Sequence, residues 1–134
     1  MYLYSSLLQR ESDKRPVRVG LIGAGKFGSM FLNQVPTTPG LEVAVIADLD
    51  PNRARAALAH VGWGAADIDS VRFTDDAMAL CSDADVEVVV DATGHPPAGI
   101  RHARAAIAAG KHIVMVNVEA DVLAGPLLAA EARD

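Results

Sequence analysis

The stretch Val17-Arg18-Val19-Gly20-Leu21-Ile22 runs straight into Gly23-Ala24-Gly25-Lys26-Phe27-Gly28. An apolar strand feeds Gly-x-Gly-x-x-Gly, and a helical pattern from Ser29 to Val35 follows. Gly23 permits a tight turn off the strand, and Gly25 lets the backbone approach a pyrophosphate. Gly28 lacks the Cβ that would hold the helix away from the sheet. The free N–H groups and the positive dipole end of the helix start can then receive phosphates. A second strand, Leu41 to Ala47, delivers Asp48 20 residues beyond Gly28. A carboxylate there can accept hydrogen bonds from ribose hydroxyls. In this context the motif predicts a dinucleotide site rather than a bare structural turn.

Working outward, residues 1–15 read as a lead-in, helical in pattern, whose Leu3, Leu7 and Leu8 could dock on the rest. The first helix must stop near Val35, because Pro36-Thr37-Thr38-Pro39-Gly40 cannot continue it. Asp50 and Pro51 supply the cap and first turn of the next helix, with Ala54, Ala57, Leu58 and Val61 as its apolar face. Residues 62–70 read as a loop and Val71 to Phe73 as a short strand. Thr74 or Asp75 then caps a brief helix through Cys81. Val86, Val88, Val89 and Val90 form a strand buried on both faces and ending at Asp91. Pro97 to Ala109 is an alanine-rich helix stopped by Gly110, and His112 to Val116 is a fifth strand with Asn117 at its end. The last helical segment is expected to break at Gly125-Pro126 before Leu127 to Arg133. This alternation predicts an α/β, Rossmann-type doubly wound parallel sheet of about five strands, order 3-2-1-4-5, with helices on both faces.

At 134 residues the chain is one domain's worth, short for a complete dehydrogenase. Its 51% hydrophobic and 22% charged residues are those of a globular protein. The net charge of −5 argues against nucleic acid or an acidic membrane as main partner, and no apolar run reaches the length of a membrane span. A single cysteine excludes an intramolecular disulfide and a thiolate zinc cluster, and no metal site is expected. The start of the chain does not read as a signal peptide, so a cytoplasmic location is expected.

In open α/β sheets ligands bind beyond the carboxyl ends of the strands. Four loops meet there: Gly23 to Gly28, Asp48-Leu49, Ala92-Thr93-Gly94-His95, and Asn117 with Glu119. The cofactor-binding candidates are therefore Gly23, Ala24, Gly25, Lys26, Phe27, Gly28, Asp48, Leu49, Ala92, Thr93, Gly94, His95, Asn117 and Glu119. Lys26 either touches phosphate or is solvated. A 2′-phosphate would be repelled by Asp48, which favours NAD, although Arg53 and Arg55 could compensate for NADP. His95 is a candidate proton donor or substrate contact, with an ordinary loop histidine before Pro96 as the alternative. His60, His102 and His112 are expected at helix ends, helix surfaces or a strand start, with no chemical role. Cys81 is expected in the core. Glu119 and Asp121 either contact substrate, bind a cation through their oxygens, or cap the last helix. Leu123, Leu127 and Leu128 are expected to form an exposed apolar patch that could support a homo-oligomer.

From Val17 onward the chain resembles the NAD(P)-binding domain of homoserine dehydrogenase-like oxidoreductases. The resemblance rests on Val-Gly-Leu-Ile-Gly-Ala-Gly-Lys-Phe-Gly-Ser-Met at 19–30, Val-Asp-Ala-Thr-Gly at 90–94 and the end of the fifth strand. In homoserine dehydrogenases that strand leads into Thr-Ala-Asn-Lys, whose lysine serves the active site. Here the positions are Asn117, Val118, Glu119 and Ala120, so homoserine is not carried over as substrate. Residues 116–126, Val-Asn-Val-Glu-Ala-Asp-Val-Leu-Ala-Gly-Pro, are similar to a bacterial branch that adds a SAF-type domain. That branch includes proteins similar in activity to 1-deoxy-D-xylulose 5-phosphate reductoisomerase, which requires NADPH. The resemblance implies a cofactor domain over residues 16–134. Hydride would pass between nicotinamide and a small carbonyl or alcohol substrate held by a domain absent from this chain. A dinucleotide-sensing module without turnover is the alternative.

Overall fold

The computed structural model describes residues 2–134; Met1 of the lead-in lies outside the described residues. The chain begins with α1 (Leu3–Ser12), then β1 (Val17–Ile22), α2 (Lys26–Gln34) and a 3-10 turn (Val35–Thr37). It continues through β2 (Leu41–Ala47), α3 (Pro51–His60), α4 (Ala65–Asp69), β3 (Arg72–Thr74) and α5 (Ala77–Cys81). β4 (Val88–Asp91), α6 (Pro96–Ala108), β5 (His112–Met115) and α7 (Val118–Arg133) complete it. The five strands are parallel and ordered β3-β2-β1-β4-β5, as the alternation predicted.

Register sets the site. Ile22 at the end of β1 pairs with Ala47 on one side and Asp91 on the other. Three strands therefore stop level, and their loops open on one edge. Side chains alternate between two cores. Leu21 faces Leu32, Val35, Ala54, Leu58 and Ile68 on the α2–α3 side. Ile22 faces Leu80, Cys81, Val86, Val89 and Ala106 on the other. Burying each large aliphatic side chain contributes about 1.5–3 kcal/mol, and that sum holds the helices to the sheet. Gly20 allows α5 its close approach, since a Cβ there would lie 2.7 Å from Leu80 Cδ2.

Several boundaries differ from the sequence reading. α2 begins at Lys26, three residues early, because the glycine loop closes directly into its first turn. The expected loop at 62–70 contains α4, formed because Ile68 turns inward to the core. The cap of α5 is Asp76, which accepts Ala79 N–H at 3.0 Å, while Thr74 Oγ1 accepts Asp76 N–H. β4 starts at Val88, although Val86 is buried ahead of it. The α7 segment is one helix that passes through Pro126. Pro126 cannot donate to the carbonyl of Val122, but that turn faces outward, while Ala120 and Leu128 are buried and α7 packs along α6. Packing overrides the local break. In the lead-in, Leu3 and Leu8 are exposed, while Leu7 docks as expected with its backbone against Gly40; Arg10, which meets Glu87 Oε1 at 2.7 Å, ties α1 down further.

Candidate functional site

Gly23 leaves β1 with φ +93°, and its N–H donates to Ala47 O at 2.8 Å. A Cβ at Gly23 would press on the Ala92 carbonyl at 2.9 Å, and one at Gly28 would collide with the Gly23 carbonyl oxygen. The two glycines are thus required by the loop's own packing. Gly25 is different: a Cβ added there meets nothing within 4 Å. It opens α2, whose N-terminus has no side-chain cap, and Gly25, Lys26 and Phe27 are exposed there. That cradle fits a pyrophosphate, with bare backbone where the ligand must approach and the helix dipole aimed at negative charge. Lys26 and Phe27 lie exposed on the rim, and Ala24 is buried under the loop.

Asp48 is buried at the end of β2. Its Oδ2 accepts Ala24 N–H at 2.9 Å, and its Oδ1 accepts Asp50 N–H at 2.9 Å and the Arg53 guanidinium at 2.8 Å. Burial alone would raise its pKa, but the two backbone N–H groups and Arg53 hold it below the ordinary carboxylate value. Arg53 is therefore not merely solvated. Arg55 points elsewhere, pairing with Asp69 and lying over the Phe73 ring at 5.6 Å. Leu49 is almost fully exposed beside Asp48, at 96%.

Beyond β4, Ala92 N–H donates to Ile22 O, and Thr93 donates both N–H and Oγ–H to Asp91 Oδ1. Gly94 turns with φ +67°. His95 caps α6, its Nδ1 accepting Ala98 N–H at 3.2 Å, so one ring nitrogen is committed to structure. Asn117 is 1% exposed. Its Nδ2 donates to His95 O at 2.9 Å and its Oδ1 accepts Ala120 N–H at 3.1 Å, so it joins the β4 and β5 loops and caps α7. Glu119 and Asp121 lie exposed in the first turn of α7, where their charge suits the helix dipole.

A cleft of about 850 Å³ runs along this edge, within the size range of small-molecule sites. Of the sequence candidates it brings together Gly23, Gly25, Asp48, Leu49, Ala92, Thr93 and His95. Ala24, Lys26, Phe27, Gly28, Gly94, Asn117 and Glu119 are not in its lining. The sequence reading missed Asp75, Asp76, Met78, Arg101 and His102, which form its α5–α6 wall. His102 is the main correction. It is not on a helix surface but buried, with Nδ1 2.6 Å from Asp91 Oδ2. The available signal was a carboxylate ending an otherwise apolar strand ahead of a histidine on the next helix. His60 and His112 are exposed. Cys81 is buried, and burial and the nearby Asp91 charge push its thiol up to about 11. A second hollow, about 550 Å³, lies near the amino-terminal edge between Pro16, Pro36 and Trp63, away from the glycine loop.

The fold recurs in known proteins. The chain is 34% identical over 120 residues to an inositol 2-dehydrogenase of Acidothermus cellulolyticus, an alignment covering 89% of this chain and 33% of that protein. A homoserine dehydrogenase of Thiobacillus denitrificans superposes with TM-score 0.74 at 22% identity, over 88% of this chain and 27% of its own. The myo-inositol dehydrogenase of Lactobacillus casei, solved with NAD(H) and myo-inositol, superposes with TM-score 0.70 at 21% identity, over 87% and 33%. The chain thus spans about a third of the length of the inositol dehydrogenase it matches. Residues 17–116 match the model of an oxidoreductase family with an NAD-binding Rossmann fold, and the chain belongs to that GFO/IDH/MocA family.

Proposed function

We propose that this chain carries the dinucleotide for a dehydrogenase or reductase whose substrate is a small alcohol or carbonyl compound held by residues outside it. When bound, the nicotinamide ring would accept or deliver the hydride. The observation that carries this reading is the uncapped start of α2 with open space at Gly25, bordering the cleft. Gly23, Gly25 and the first turn of α2 would hold the pyrophosphate, and Asp48 the adenosine ribose. Thr93 to His95 would face the nicotinamide end. Asn117 would act by positioning the His95 loop, because its side chain is already spent on protein partners.

Asp48 favours NAD, whose free ribose hydroxyls can donate to it. Arg53, held 2.8 Å from Asp48, is poised to offset a 2′-phosphate. The lean is to NAD, with NADP the form that the reductoisomerase-like branch would require. Inositol, the substrate named for the curated relative, is the compound to try first. Homoserine dehydrogenase-like and reductoisomerase-like activities follow behind it. A cytoplasmic, bacterial protein able to self-associate completes the reading; no described helix is long and apolar enough to cross a membrane.

Calorimetric titration with NADH and with NADPH tests this directly. Trp63 is a poor emission probe, because it packs against Leu32 away from the cleft. Saturable binding supports the reading, and the tighter nucleotide decides the role of Asp48. No binding of either would sink it.

A further inference from the structure

Behind the end of β1, on the face covered by α5 and α6, a carboxylate and an imidazole meet that the phosphate cradle does not use. Asp91 is 0% and His102 7% exposed, with Nδ1 2.6 Å from Oδ2. Asp91 Oδ1 accepts the N–H and the hydroxyl of Thr93 at 3.0 and 2.9 Å. Burial alone would raise the Asp91 pKa, but the hydrogen bonds from His102 and Thr93 hold it below the ordinary value. An ionised carboxylate at that distance needs a proton from its partner, so Nδ1 of His102 carries it. In the neutral ring Nε2 then keeps a lone pair. Nε2 has no hydrogen-bond partner among the described residues, yet it is not sealed from solvent, and His102 lines the cleft.

Under the dinucleotide reading the adenosine lies toward Asp48, which lines the same cleft as His102. Asp48 and Leu49 follow β2, while Ala77 and the exposed Met78 begin α5. Leu49 and Met78 offer apolar surface suited to the faces of a flat heterocycle, which leaves its polar edge to be read by a hydrogen-bonding group. We propose that Nε2 of His102 accepts the amino group of the adenine base, with Asp91 as the residue that fixes the accepting tautomer. The inference rests on the dinucleotide reading of the cleft. A base with a carbonyl oxygen in place of that amino group sets lone pair against lone pair and is rejected.

The test compares NADH with its reduced hypoxanthine analogue, which carries a carbonyl oxygen for that amino group and a proton on the adjacent N1, by calorimetry on the full chain at pH 8. The wild-type chain should bind the adenine form about tenfold more tightly. His102→Leu should bring the ratio close to one. Asp91→Asn, whose amide donates to Nδ1 and drives the proton to Nε2, should reverse it. Because Asp91 is buried and its variant can misfold, long-range 15N spectra of the wild-type histidines give a second readout. The Nε2 resonance should be that of an unprotonated nitrogen and should move with NADH but not with the hypoxanthine form. Equal wild-type affinities, an unchanged ratio in His102→Leu, or a protonated Nε2 in the free chain would each overturn the base-reading role alone. Failure of both nucleotides to bind would overturn the dinucleotide reading, and this inference with it.

Discussion

Asp48 Oδ2 accepts the Ala24 N–H at 2.9 Å, so the end of β2 fixes the glycine loop from 24 residues away. The same carboxylate orders its own turn through Asp50 N–H and anchors Arg53. Under the dinucleotide reading proposed above, structure and ligand recognition compete for this one side chain. Asp48→Ala should cost about 1–3 kcal/mol of stability, because it strands a buried N–H, and should weaken NADH binding as well. Urea unfolding beside calorimetry separates the two losses. Unchanged stability would mean that the loop holds its shape without Asp48.

Gly25 and Gly28 should behave oppositely when substituted. A Cβ at Gly25 meets open space, whereas one at Gly28 collides with the Gly23 carbonyl. Gly25→Asp should fold with a melting temperature near wild type and lose NADH binding through bulk and like charge at the phosphates. Gly28→Ala should melt several degrees lower, since helix and loop must separate. A Gly25→Asp chain that binds normally would remove the loop from the cofactor site.

Acid should destabilise the chain through Asp48 and Asp91. Both carboxyls titrate below their ordinary value when folded, so each contributes stability that is present above about 3.9 and is lost as pH falls through the folded value. Urea midpoints should be level from pH 7 to 5 and fall below about pH 4. Asp91→Asn should flatten part of that fall. A midpoint that holds to pH 3 would contradict the assignment.

Cys81 is buried with its thiol pushed up to about 11, first by burial and then by the Asp91 charge. A thiol reagent at pH 8 should leave the native chain unmodified and label it fully in urea. Rapid native labelling would show that the α5–sheet core opens easily.

The exposed apolar patch on α7 is real but differently composed from the sequence reading. Leu123 and Leu127 are exposed with Val118 and Val122, whereas Leu128 is 7% exposed and belongs to the contact with α6. Concentration-dependent sedimentation is expected, and Leu123→Ser with Leu127→Ser should suppress it without lowering the melting temperature. A strict monomer at millimolar concentration would refute self-association through this face.

Strand order, the glycine loop and the edge that holds the candidate site were legible in the chain before folding. Those follow from local facts: apolar runs with turn residues between them, and glycines spaced as Gly-x-Gly-x-x-Gly directly after a strand. Only the tertiary structure decided the rest. Whether α7 breaks at Pro126 depends on what α6 offers to Ala120 and Leu128, which no local propensity records. Ile68 drew a helix out of an expected loop because a core was waiting for it. His102 read as a surface histidine because helical spacing gives a face but not the rotation of that face toward a strand end. It is the docking of α6 on β4 that brings its ring to Asp91 and leaves Nε2 open to the cleft.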